Sequence, residues 1–372
     1  MKKERTPSLD LLRIISMLMV ICNHLISWSG ILPDEAYAMT PMWLAKEVFF
    51  VFLQPAVNCF VLISGYFLCT ARFKLKKLVS LWVQTLFYSI GIYLLVCLSC
   101  DGIPFSFSVF LKRCLPVTTT HYWFITAYIL MYILFPFMNT LIHAMDKSKH
   151  LMCCLVLFGV FSVAANLMYI SDFSGVYGGY SFIWFCVIYI AAAYIRLYVP
   201  ARVKHQKWMF PLSGVLCLAI CAEKFLAHLI TPYIFGSLVL DGFFYSYNSI
   251  LAVPCALTLF QGFRGLTIRS PRAIKVIGLF APLTLAAYLI HGNMSFSQIL
   301  LDAVNVSAHC GSFVLFPYLI LCTICIFLVS SGIEWIRQWL FGVLQISSRI
   351  ERICDVLQET VALRLHRDDP SA

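Results

Sequence analysis

The sequence predicts an all-α fold, that of a polytopic integral membrane protein. Of its 372 residues, 61% are hydrophobic and 12% are charged, whereas soluble domains average about 45–50% apolar and about 25% charged residues. Uncharged windows of about 20 residues recur along the chain, and a helix of that length crosses a bilayer. Because segments 48–60 and 312–329 do not alternate polar with apolar positions, a transmembrane β-barrel is excluded.

About ten helices are expected to cross the membrane. The first follows a basic start and lacks both the short apolar region and the cleavage site of a signal peptide, so we expect it to remain as helix one. Segment 225–240 is also apolar, but a third crossing there would break the alternation of sides. It is predicted to be an outer loop or a re-entrant segment. The expected spans are 9–28, 47–70, 78–99, 121–142, 151–169, 180–199, 208–229, 244–263, 277–300 and 312–336.

The basic residues predict the orientation, because Lys and Arg in short loops mark the cytoplasmic side. Alternate connections and the two ends hold 22 of the 27 Lys and Arg residues, which predicts that both termini are cytoplasmic. Residues 1–342 are expected to form the membrane domain, multi-pass in the plasma or inner membrane. Residues 343–372 are expected to form a cytoplasmic tail, where Ile346, Ile350, Ile353 and Leu357 have the spacing of a helix on the membrane surface.

Two features of the composition suggest other functions but have simpler explanations. The net charge of +10 is dispersed over the inner loops, so topology and anionic lipid account for it and no nucleic acid is expected. The pairs Cys97/Cys100 and Cys322/Cys325 have the spacing of zinc ligands, but they lie in or beside apolar helices without knuckle glycines. No metal site is predicted.

Ionisable residues inside predicted spans are the first functional candidates, because they are costly at membrane depth. Arg13 and His24 lie 11 residues apart in helix one, which places them within about 20° of the same direction and about 16 Å apart along the axis. Arg13 alone fits a snorkelling residue paired with Asp10. His291 lies in the outer half of helix nine, so two histidines are expected to approach one polar cavity. His121 fits the aromatic belt at the outer interface.

Several segments resemble the membrane-bound acyltransferase-3 family over nearly the whole chain. The first is the Arg-x10-His pattern of Arg13 and His24. The second is the Ser-Gly-aromatic segment at Ser64, which is followed by a basic run that begins at Arg72. Lysines stand at 74, 76 and 77, where many members have a second arginine. The remaining segments occur in the family's order: Tyr122-Trp123-Phe124 with Pro136, Tyr247-Asn248, and Tyr288-Leu289-Ile290-His291.

The resemblance implies ten helices and acyl transfer from a cytoplasmic acyl-CoA, usually acetyl-CoA, to an exported acceptor. The acceptor is commonly a hydroxyl of a surface glycan or of a lipid-linked sugar. Acyl-CoA is implied as a substrate, and no tightly bound cofactor is implied. The expected partners are therefore acyl-CoA, the glycan and the bilayer.

The residues suggest roles that agree with this resemblance. Arg13, Arg72 and Lys76 are expected to bind the donor phosphates, and Ser64 to line the donor channel. His24 is expected to act as the general base, or as an acyl carrier, and His291 to orient the sugar or stabilise the oxyanion. We assign acceptor binding to three residues, Asn58, Trp123 and Tyr288.

Two other classes also fit a ten-helix protein with few buried polar groups. A transporter or flippase for a glycan precursor would be expected to show internal repeats, and none is found. A membrane sensor or scaffold would be expected to carry a soluble output domain. Consumption of the thioester by the purified protein with an acceptor glycan separates the enzyme from both.

Overall fold

A computed structural model of the chain describes residues 6–31, 38–100, 102–119, 121–167, 175–235 and 244–367, of which Phe235 and residues 361–367 are described by their backbone alone. All regular structure in these ranges is helical, which confirms the predicted fold class. The helices are α1 (Pro7–Trp28), α2 (Pro41–Val51), α3 (Ala56–Leu68), α4 (Leu75–Ser99), α5 (Phe107–Cys114), α6 (Trp123–Ala144), α7 (Lys147–Phe158), α8 (Ala165–Leu167), α9 (Phe182–Tyr198), α10 (Met209–Phe235), α11 (Ala252–Arg264), α12 (Pro271–Phe280), α13 (Thr284–His291), α14 (Ser297–Val304), α15 (Leu315–Val343) and α16 (Ile346–Arg367).

Helices lie at all ten predicted span positions. Within the described residues, eight helical stretches are long and apolar enough to cross a membrane. The other two positions hold α9, with 17 residues, and α11, with 13. These shorter helices are enclosed by neighbours, because α9 packs on α3, α6 and α7, while α11 packs on α10, α3 and α1.

Two of the spans are interrupted near prolines. The second span is broken between α2 and α3, just before α3 begins after Pro55, and the ninth is broken by a 3-10 turn at Ala281–Leu283 that contains Pro282. Proline removes one main-chain donor and ends a helical hydrogen-bond ladder. Such breaks are tolerated at membrane depth where neighbouring helices or a cavity surround them.

Two sequence-based boundaries are wrong. Residues 225–235, expected to belong to an outer loop or a re-entrant segment, are helical, because α10 continues through Pro232 to Phe235; residues 236–243 lie outside the described ranges. Helix α10 packs on α2, and an ion pair between Lys224 and Glu47 (2.6 Å) joins the two helices just before this segment. The ninth span ends at His291 rather than at residue 300, because the turn that follows, with Asn293, separates α13 from α14.

Helix α1 lies at the centre of the bundle, where it packs on α3, α11, α12, α13 and α15. At one end, Arg264 donates to the carbonyl oxygens of Ile195 (2.8 Å) and Val199 (3.0 Å) at the end of α9. These contacts bring together two of the basic connections, 196–207 and 264–275. We refer to this end as the inner end and to the opposite end as the outer end.

Candidate active site

A cavity of about 540 Å³ runs beside α1 through the bundle. Arg13, Met17, Val20, His24 and Trp28 line it at intervals of three or four residues, which is one face of a helix. At 1.5 Å per residue, this row extends for about 22 Å. The cavity therefore spans most of the thickness of a bilayer core.

The inner end of the cavity is cationic. Arg13 and Lys77, the latter near the N-terminus of α4, are the charged side chains among the described lining residues. Arg13 donates from Nη1 to Oδ1 of Asp10 at 2.8 Å, the pair expected from the sequence. The start of α4 adds the partial positive charge of a helix N-terminus. The net charge of Arg13, Lys77 and Asp10 together is positive.

The outer end of the cavity is aromatic. Trp123 lies 4.6 Å from Tyr180 and 6.4 Å from Tyr247 between ring centroids, and the planes of Trp123 and Tyr247 differ by 16°. Tyr288 and Trp28 also line the cavity. Flat rings of this kind bind the apolar faces of ligands while their polar edges form hydrogen bonds.

Main-chain contacts position the aromatic wall, by which we mean the rings of Trp123, Tyr180 and Tyr247 at the outer end. The N–H of Tyr247 donates to the carbonyl oxygen of Gly178 at 3.0 Å. The neighbouring Gly179 has a φ of 93°, and a Cβ at that position would lie 2.6 Å from Cβ of Tyr247. Only glycine fits both this conformation and this approach. The wall therefore depends on two irregular segments that meet at the outer end.

His24 lies between the cationic and the aromatic ends. Its ring stacks on Trp28 with centroids 4.0 Å apart and planes 17° apart. Its Nδ1 lies 2.9 Å from Nε2 of His291, whose own Nδ1 lies 2.5 Å from the carbonyl oxygen of Ala287. The two histidines are therefore in contact with each other, and Nε2 of His24 is the ring nitrogen that His291 does not engage.

Other predicted site residues also line the cavity. Ser64, Trp123 and Tyr288 do so together with Arg13 and His24. The hydroxyl of Ser64 donates to the carbonyl oxygen of Phe60 at 2.9 Å, one helical turn earlier.

Four predicted site residues lie elsewhere. His291 lies behind His24 and is not among the residues that line the cavity, whereas the sequence analysis expected both histidines to reach it. Asn58 is fully buried, and its amide is used by Tyr247 and Trp184. On the inner side, Arg72 is exposed and does not line the cavity.

Lys76 is the fourth residue. Its ammonium forms an ion pair with Glu351 of α16, and Lys77 lines the cavity in its place. Adjacent residues of a helix point about 100° apart, so a basic run alone does not show which lysine faces inward.

The sequence analysis also missed residues beside His24. Asn23 and Ser27 line the cavity, and the Ser27 hydroxyl donates to Oδ1 of Asn23 at 3.3 Å. That oxygen is an acceptor, so the NH₂ group of Asn23 is the donor end of the amide. For Ser27 the signal was present in the spacing, because residues 13, 20, 24 and 27 share one face of α1, whereas Asn23 lies at the edge of that face.

The fold and cavity define a polytopic α-helical membrane protein with a polar site inside its bundle. A family model for an acyltransferase domain, that of the acyltransferase-3 family, matches residues 6–344. The chain belongs to this family, as its resemblance indicated, and is therefore a membrane-embedded acyltransferase. The match ends just before α16. No curated protein and no solved structure matches the chain.

Proposed function

We propose that this protein transfers an acyl group, namely acetyl, from acyl-CoA at the inner end to a hydroxyl of a glycan at the outer end. One observation carries the proposal: a single cavity joins a cationic inner end to an aromatic outer end, and His24 lies between them. A substrate with anionic phosphates and a substrate with sugar rings would therefore enter from opposite ends and meet at one imidazole.

The donor fits the inner end by charge. The phosphates of acyl-CoA would bind at Arg13 and Lys77, where guanidinium and ammonium groups form charge-assisted hydrogen bonds with phosphate oxygens. The pantetheine arm is slim and uncharged, so it would extend along the largely apolar middle of the cavity. This arrangement brings the thioester towards His24 while the phosphates stay at the inner end.

The reaction then needs one base and one group that stabilises the oxyanion. Nε2 of His24 takes the proton of the acceptor hydroxyl while the hydroxyl oxygen attacks the thioester carbonyl carbon. The NH₂ group of Asn23 stabilises the oxyanion that forms. When the C–S bond breaks, the proton on His24 passes to the thiolate. The products are the glycan ester and free CoA.

The acceptor fits the outer end by shape and polarity. The rings of Trp123, Tyr180 and Tyr247 present a face on which a sugar ring can stack. No charged side chain lines this end among the described residues. An uncharged sugar is therefore the expected acceptor unit.

The proposal is tested with the purified protein in lipid nanodiscs. Release of free CoA from acetyl-CoA is measured with and without an extracted surface glycan, and the ester on the glycan is quantified by mass spectrometry. The wild type is expected to form both products in equal amounts. The His24→Ala variant should lower the rate by about 100-fold or more.

The matched control is His150→Ala, because His150 is a fully buried histidine between α7 and α9, away from the cavity. A folded His24→Ala variant with wild-type activity would exclude the proposed base. Glycan movement across proteoliposomes without thioester consumption would favour a transporter.

A further inference from the structure

His24 and His291 form part of a hydrogen-bonded chain that ends on the main chain. We infer that His291 is a positioning residue that holds His24 in the tautomer with the proton on Nδ1 and the lone pair of Nε2 facing the cavity. The inference concerns a role for His291 beyond the proposed function, and its catalytic consequence rests on the role of His24 in that function.

The donor and acceptor of each hydrogen bond follow from the last bond, the one to the main chain. The carbonyl oxygen of Ala287 can only accept, so Nδ1 of His291, 2.5 Å away, carries a proton. A neutral imidazole has one protonated nitrogen, so Nε2 of His291 is an acceptor. Nδ1 of His24, 2.9 Å from it, must then donate. The Nε2 atom of His24 is left unprotonated, which is the state a general base requires.

The surroundings hold both rings in this orientation. His291 is 2% exposed and is the last residue of α13. The indole ring of Trp28 covers one face of His24. A ring that is stacked on one face and hydrogen-bonded at one edge has little freedom to turn over, so the tautomer and the direction of Nε2 are fixed together.

The hydrogen bond to His291 also stabilises the cation that forms when His24 takes a proton. Its Nδ1–H then donates to His291 as one charged partner of a hydrogen bond, which is stronger than a neutral pair. The C-terminal end of α13 contributes a partial negative charge. Histidine provides this acceptor without placing a permanent carboxylate at membrane depth, where an unpaired anion is costly.

The first test reads the tautomer directly and does not need activity. Full-length protein with 15N-labelled histidine is reconstituted in lipid bilayers, and the imidazole nitrogens are observed by solid-state NMR. The signal of His24 is assigned by comparison with His24→Gln. We expect the Nδ1–H tautomer in the wild type and in His291→Gln, whose side-chain oxygen replaces the acceptor.

In His291→Leu, which lacks an acceptor, we expect His24 to shift towards the Nε2–H tautomer. An Nε2–H tautomer in the wild type overturns the inference, whether or not the protein transfers acyl groups.

The second test is kinetic. We expect His291→Leu to lower kcat by about 100-fold and to leave the KM for acyl-CoA within about twofold, since the donor binds at the inner end. His291→Gln should recover at least a tenth of wild-type kcat. His150→Leu removes the hydrogen bond of a different buried histidine, that of His150 with the carbonyl oxygen of Ile190, and should retain wild-type kcat.

A His291→Leu variant with kcat within threefold of the wild type contradicts the positioning role. Absence of transfer by the wild type, together with the Nδ1–H tautomer, counts against the proposed function and leaves the tautomer assignment intact.

Discussion

The side-chain amide of Asn58 donates a 2.7 Å hydrogen bond to the main-chain carbonyl oxygen of Tyr247, which links α3 to the aromatic wall of the cavity. The amide oxygen of Asn58 accepts from Nε1 of Trp184 at 3.0 Å. Asn58 therefore uses both ends of its side chain to satisfy buried polar groups. It supports the aromatic wall and is not itself part of the cavity surface.

The Asn58→Leu substitution should lower stability by about 1–3 kcal/mol, because a buried carbonyl and a buried indole N–H lose their partner. Thermal unfolding in detergent measures this change. The control is Asn166→Leu, at a half-buried amide that bonds Ser162 and Asn248 and should cost less. An unchanged midpoint for Asn58→Leu, with a higher KM for the acceptor, would instead indicate direct contact with substrate.

The different outcomes for Asn58 and His24 show what the sequence can predict here. Helical positions follow from runs of apolar residues, and the shared face of Arg13 and His24 follows from the spacing within one helix. Whether Asn58 and Lys76 line the cavity depends on partners that are distant in the sequence, Tyr247 and Glu351. No periodicity in one segment contains that information, because it arises only when separate helices pack together.

The two adjacent lysines at the start of α4 should differ in their effect on the donor. Lys77 lines the cavity, whereas Lys76 pairs with Glu351. We expect Lys77→Gln to raise the KM for acyl-CoA about 3- to 10-fold with little change in kcat, because it removes a charge that attracts phosphate in both ground and transition states. Lys76→Gln is the matched control and should change KM less than twofold.

The KM effect of Lys77 should also shrink as salt is added, since screening weakens charge interactions near the solvent. Initial rates at several salt concentrations provide the measurement. Equal effects of the two lysine substitutions would argue against donor binding at Lys77.

Gly65 allows α3 and α9 to approach closely. A Cβ at this position would lie 2.9 Å from Cβ of Ala192 and 3.0 Å from Cα of Tyr189, and the second of these atoms belongs to the main chain. Small residues at helix contacts permit such packing in membranes. Gly65→Ala should therefore destabilise the protein by about 1–3 kcal/mol.

Gly91→Ala in α4 is the control for this substitution, because nothing lies within 4 Å of a Cβ there. Gly91→Ala should be neutral or slightly stabilising, since alanine stabilises a helix by about 1 kcal/mol relative to glycine. Thermal midpoints of the two variants test the pair. Equal midpoints would show that α3 and α9 separate easily.

His121 should make stability depend on pH. Burial, and then the nearby Arg113 guanidinium, lower the pKa of His121 from 6.5 to about 4. Nη1 of Arg113 donates to its Nδ1 at 2.7 Å, which requires the neutral ring. Between pH 6.5 and 4 the unfolded chain therefore binds a proton that the folded chain does not, so stability falls as the pH falls.

The size of this effect is at most about 1.4 kcal/mol per pH unit within that window. His121→Asn, whose amide oxygen can accept from Arg113 without titrating, should show a smaller loss of thermal midpoint between pH 7 and pH 5. Parallel curves for the two proteins would contradict the assignment.

Helix α16 should lie on the inner surface of the membrane. Ile346, Ile350 and Cys354 form the face directed towards the protein, whereas Ile353, Val356 and Leu357 are 50–59% exposed on the adjoining face. Since α16 packs on α4 and α15, the uncovered apolar face is available to lipid.

We expect the double substitution of Ile353 and Leu357 to Glu to release α16 from lipid, because two charges would replace apolar side chains in the interface. Hydrogen–deuterium exchange of segment 346–360 in nanodiscs should then accelerate by about 10-fold or more, which corresponds to a loss of about 1.4 kcal/mol of protection. Substitution of Ser348 and Gln358 to Glu, which adds two charges on the exposed polar side of the same helix, is the control and should leave the exchange unchanged. If both double variants exchange like the wild type, the ion pair of Lys76 with Glu351 and the packing on α4 hold the helix without help from lipid.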